Sequence, residues 1–102
     1  MNRDIVYKAL SDPTRREILR LLRDGEKAAG KLGDYFPISG ASMSHHFAVL
    51  KQADLIIARR DGQQILYSLN TTVVQDLIVA LFELVPAASK TVAKPDRKVG
   101  SE

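Results

Sequence analysis

Residues 38–68 read ISGASMSHHFAVLKQADLIIARRDGQQILYS. The first half carries Met43, Phe47 and Leu50 at the i, i+4, i+7 spacing that makes one apolar stripe on a helix. Ser42, His45 and Ala48 fall on another side, which is small and polar. Ser39 is a good N-cap for that helix, because its hydroxyl can accept from a first-turn N–H. The second half alternates around Asp61-Gly62, a pair that favours a two-residue type I′ corner between antiparallel strands. A polar-faced helix of about residues 39–52, followed by a ribbon of about 55–69 with Arg59 and Arg60 just before its tip, predicts a winged helix-turn-helix. A helix of this kind fits a DNA major groove, and the ribbon reaches the neighbouring backbone.

The flanking sequence supplies the remaining helices. Ile5, Val6, Ala9 and Leu10 predict a first helix over 3–10. Asp12 as N-cap and Pro13 at the first helical position predict a second, with Ile18, Leu19, Leu21 and Leu22 inward and Arg15, Arg16, Glu17, Arg20 and Arg23 in water. Asp24-Gly25 ends it. A third helix is expected over 27–36. Gly30 and Gly33 each weaken it by roughly 1 kcal/mol and no hydroxyl caps it, so Leu32 and Phe36 must hold it by packing. After the ribbon, Asn70 or Thr71 opens a long helix to Val85, stopped by Pro86. The expected fold is mainly α, about five helices plus a two-stranded antiparallel wing. Residues 1–86 form the DNA-binding and dimerisation domain, and 87–102, poor in apolar residues, a flexible basic tail.

Composition narrows the function. The 102 residues suit one domain, and the absence of Cys excludes disulfides, thiolate metal sites and a Cys nucleophile. No apolar run approaches the ~18 to 20 residues that span a bilayer, and Met1-Asn2-Arg3-Asp4 lacks a signal-peptide layout. The expectation is a cytoplasmic protein without membrane insertion. The formal net charge is +3. Residues 87–102 hold Lys90, Lys94, Arg97 and Lys98 against Asp96 and Glu102, a net of +2, so residues 1–86 carry +1. DNA attraction must therefore come from local clustering rather than bulk charge. No Gly-rich phosphate loop or metal-ligand spacing is present, so neither an enzyme nor a cofactor is expected.

Each candidate residue has a plain alternative. Ser42, Ser44 and His45 either face bases and phosphates or make an ordinary solvated helix face. Gly40 and Ala41 are small enough for the helix start to approach a phosphate. His46 is either a DNA contact or a partly buried structural residue. Arg59 and Arg60 alternate on a strand, so one of them at most aims at the groove; Arg60 is favoured, with Gln63 beside it. The competing role for these charges is to discourage strand pairing at an edge. Arg16 either crosses the DNA backbone or packs its stem, and Lys31 and Lys51 are phosphate candidates. The last helix has more apolar residues than one face can bury, which is either core or a surface for a second chain. A homodimer is expected through Ile5, Val6, Val74, Leu77, Ile78, Leu81 and Leu84.

Three strings, LSDPTRREILRLL at 10–22, SMSHHFAVLKQADLI at 42–56 and RRDGQQILYSLN at 59–70, together resemble the ArsR family of bacterial transcriptional repressors. The ending YSLNTT with the following helix looks most like the SdpR-like autorepressor branch. The resemblance implies a homodimer paired through its first and last helices, with double-stranded DNA as partner at an inverted-repeat operator. Many members sense metals through cysteines of the third helix or Asp and His of the last. Here the third segment has neither Cys nor His, and the last helix has Asp76 and Glu83 but no His. Adjacent His45 and His46 point about 100° apart and cannot chelate within one chain. The releasing signal stays open between a small-molecule inducer, a sequestering protein and plain autoregulation. The other reading of the whole chain is a winged-helix protein-interaction module that binds no DNA.

Overall fold

The computed structural model describes residues 2–86; the tail expected over 87–102 lies outside the described residues. Helix α1 (Arg3–Leu10) starts where Asn2 accepts from the Ile5 N–H at 3.2 Å, and Ser11 closes it by donating to the Lys8 carbonyl. Helix α2 (Pro13–Leu21) begins as its capping signals predict. The Asp12 carboxylate accepts from the amides of Thr14 and Arg15 at 2.7 and 3.3 Å. A 3-10 turn, Leu22–Asp24, runs out at Gly25, whose φ of 133° suits a residue without Cβ.

The third segment departs from expectation. Lys27–Ala28 is a two-residue strand, β1, and the helix after it, α3 (Ala29–Gly33), has five residues and no side-chain cap. The physical reason is the one that made this helix weak: two glycines and no cap leave too little local stability to propagate. Ala28 stays extended and pairs with Leu66, and fully buried Leu32 holds what helix remains. The sheet therefore has three antiparallel strands in the order β1-β3-β2, with a two-stranded wing, β2 (Ile56–Asp61) and β3 (Gln64–Leu69), extending from it.

The wing register corrects a second expectation. Asp61 pairs with Gln64, so the corner residues are Gly62-Gln63 rather than Asp61-Gly62. Gly62 has φ 64° while Gln63 is not left-handed, the pattern of a type II′ corner with Gly first. Asp61 is spent as the last strand residue.

Helix α4 (Gly40–Gln52) follows its Ser39 cap, and α5 (Thr71–Phe82) follows Asn70. Helix α5 is shorter than expected, because beyond Phe82 the amides of Leu84 and Val85 bond three residues back and Pro86 follows. One core joins Val6, Ile18, Leu22, Leu32, Met43, Phe47, Leu50, Leu55, Ile56, Tyr67 and Leu77. At its centre the Phe47 and Tyr67 rings lie 4.6 Å apart, tying α4 to the inner strand of the wing. Among the described residues no helix is long and apolar enough to cross a membrane.

The residues expected to pair subunits divide. Val6 and Leu77 are buried in the chain's own core, and Ile5 and Val74 are half-buried against it. Ile78, Leu81 and Leu84 are exposed, and Val79, Phe82 and Val85 stand beside them. The apolar surplus is therefore a surface, concentrated at the C-terminal end of α5 and in the turn that follows it.

Candidate nucleic-acid interface

Helix α4 owes its orientation to its buried stripe. Met43, Phe47 and Leu50 lie on the core, 4%, 6% and 0% exposed, so the opposite side faces water. Turning 100° per residue, Ala41, His45, Ala48 and Gln52 form the centre line of that outer face, flanked by Ser42 and Ser44; all six are exposed. Gly40 opens the helix, also exposed. Sequence reading gave Gln52 no role, yet its spacing from Ala41, His45 and Ala48 already placed it on the line.

The N-terminal cap also prepares a donor. Ser39 accepts from the Ser42 N–H and donates its own proton to the Ser42 hydroxyl oxygen, both at 3.1 Å. Ser42 is left with an O–H to offer outward. At the other end the chain leaves α4 through Asp54, with φ 58°. The Leu55 amide bonds back to the Leu50 carbonyl and the Asp54 amide to that of Lys51. This is a Schellman closure with an aspartate where glycine is usual. It aims the chain into β2, and the Asn70 amide, donating to the Leu55 carbonyl at 3.0 Å, ties the base of the wing to the same corner.

His46 and Arg15 explain each other. Arg15, expected in water, is 8% exposed. Its Nε donates to the Ala9 carbonyl at 2.7 Å and its Nη2 to that of Lys8 at 3.1 Å, satisfying the end of α1. Its Nη1 lies 3.2 Å from His46 Nδ1. A guanidinium only donates, so Nδ1 accepts and the proton of the neutral ring sits on Nε2. His46 is thus half-buried and held, and one arginine links α1, α2 and α4. Periodicity could not show this, because the partners of Arg15 are carbonyls that no residue type announces. Asp12 beside them has a carboxyl below its ordinary value. Desolvation pushes it up, but the amides of Arg15 and Thr14 and the positive charge of Arg15 outweigh that.

On the wing the two arginines part, as strand alternation requires. Arg59 makes a two-pronged pair with Glu26, Nη2 to Oε1 at 2.7 Å and Nε to Oε2 at 3.0 Å. The hydrogen bond and charge of Arg59 hold the Glu26 carboxyl below the usual range, and Glu26 raises the Arg59 guanidinium. Arg60 makes a long 3.4 Å contact with the Gly62 carbonyl at the corner, where Gln63 is exposed. Lys51 is exposed in the last turn of α4, and Lys31 is exposed on α3. Arg16 is not with this group: its Nη1 donates to the Leu10 carbonyl at 2.8 Å, and it borders a groove shared with α5.

Comparison with known proteins agrees with this geometry. A helix-turn-helix domain model matches residues 10–58. The transcriptional repressor SdpR of Bacillus subtilis is 58% identical over 73 residues, 72% of this chain and 81% of the relative. The arsenical resistance operon repressor of Staphylococcus aureus is 40% identical over 73 residues, 72% of this chain and 70% of the relative. An ArsR-like transcriptional regulator from Rhodococcus sp. RHA1 superposes with a TM-score of 0.73 at 26% identity, covering 88% of this chain and 85% of that one. The chain belongs to the ArsR family of winged helix-turn-helix transcriptional regulators, which are DNA-binding proteins and not enzymes.

Proposed function

We propose that the protein is a homodimeric repressor that binds an inverted-repeat operator, α4 in the major groove and the wing tip on the adjacent backbone. The carrying observation is the division of α4, with Met43, Phe47 and Leu50 buried while Ser42, Ser44 and His45 are exposed on the outer side. Gly40 and Ala41 let the helix start approach a phosphate, and Lys51, Arg60 and Gln63 add contacts at either side. Two such helices on a two-fold axis read half-sites about 34 Å apart, one turn of duplex. The exposed end of α5 and the turn after it, with Ile78, Leu81 and Leu84, support the pairing. The repressors SdpR and that of the arsenical operon support the sign of regulation. Regulation is not by metal at the family's usual positions: the chain has no Cys, and His46 spends Nδ1 on Arg15.

The test is a mobility shift of the pure protein on its own upstream region. The expected result is a specific, salt-sensitive shift. His45→Ala should cost about 1 to 3 kcal/mol of discrimination between operator and random duplex. Equal loss on both duplexes removes His45 from base reading. No specific shift at all favours a protein-interaction module.

A further inference from the structure

Arg16 and Arg20 of helix α2 and Arg23 of the 3-10 turn after it make a row of guanidiniums that border one groove. The groove has a volume of about 340 Å³, and its other lining residues, Leu10, Leu19, Leu55, Leu69, Val74 and Leu77, are all apolar. None of the residues lining it is acidic. Arg20 has Glu17 at 3.0 Å outside the groove, and Arg16 spends one nitrogen on the Leu10 carbonyl, so the edge keeps excess positive charge. The size lies at the small end of ligand sites, which are apolar with a few oriented polar groups.

An apolar trough beside a cationic row suits a molecule with one alkyl chain and one anionic head. Planar guanidiniums match a carboxylate, which two of them can share. We propose that this groove binds a medium-chain carboxylate, its chain over the leucines and its head on the arginine row, and that the ligand acts as the releasing signal. The site joins α5 to the base of the wing through Val74 and Leu69, so a molecule wedged there acts on the pairing and the reading elements together. The regulatory half of this rests on the function proposed above; the binding half does not.

Calorimetry on the full chain without DNA tests the binding half, with decanoate, octanoate and decanol as probes. Decanoate should bind once per chain. Octanoate should be weaker by roughly fifteenfold, since each CH2 is worth about fourfold. Decanol, with the same chain and no charge, should be about tenfold weaker than decanoate. The double variant Arg20→Gln/Arg23→Gln should erase the advantage of decanoate and leave decanol unchanged. Equal binding of decanoate and decanol, or no binding up to the solubility limit, overturns the proposal. So does loss of Leu19 and Leu69 methyl accessibility when subunits associate, which would give the groove to subunit pairing. In the mobility shift, saturating decanoate should weaken operator binding at least tenfold. Uptake without that change overturns the signal assignment. If decanoate binds and no duplex does, the failure belongs to the DNA reading and not to the groove.

Discussion

Asp12 is the residue on which α2 depends, for its one carboxylate oxygen accepts from two amides. Asp12→Ala should lower stability by about 1 kcal/mol at neutral pH in a denaturant titration. Because the folded carboxyl sits below its ordinary value of 3.8, the contribution is present above that value and lost as pH falls through the folded one. The gap between variant and parent should therefore close in strong acid and stay constant from mild acid to neutrality. Asp12 was legible, since a carboxylate before Pro13 and an apolar run is a start signal. Its neighbour Arg15 was not. A charged residue reads as wet by default, and only the folded chain brings the ends of α1 and His46 within its reach. Arg15→Met keeps the bulk but strips three donors, leaving buried carbonyls bare. It should destabilise the fold by about 1 to 3 kcal/mol and weaken operator binding in step, measured by thermal melting and mobility shift.

Among the elements, the wing illustrates how sequence patterns mislead by one position. Asp-Gly correctly announced a two-residue corner, but Gly suits the first place of one corner type and the second of another, and pairing with β3 chose the former. Strand β1 was invisible, since two residues hold no periodicity and its partners lie some forty positions away. The unequal arginines give a direct measurement. Arg60→Gln should reduce the salt slope of operator binding by about one, the loss of one phosphate contact, while Arg59→Gln leaves it unchanged. Glu26→Gln should release Arg59 and steepen the slope by about one, with tighter binding to random duplex. At the exit of α4, Asp54→Gly should raise stability by about 1 kcal/mol, because glycine takes the left-handed conformation without the Cβ penalty. Asp54→Val, branched at Cβ, should do the opposite.

For the whole molecule, the helix order and the helix-turn-helix with its wing were legible because their signals are local: caps, stripes and a corner. Which apolar residues face outward was not, and the pairing candidates split between core and surface for that reason. Leu81 and Leu84, 46% and 73% exposed, can carry charge without disturbing the core. Leu81→Glu/Leu84→Glu should give a monomer by light scattering, with a nearly unchanged melting temperature at low concentration and weakened operator binding. Persistence of a dimer would move the pairing surface elsewhere. The central position of β3 has its own consequence for biogenesis. Lys27–Ala28 and Ile56–Asp61 are both edges that lean on a strand made after them. A nascent chain stalled at residue 63 would hold every residue of α4 and no support for the ribbon beneath it. The folded wing should therefore appear late in synthesis, once the few residues that end at Leu69 have emerged, rather than grow gradually.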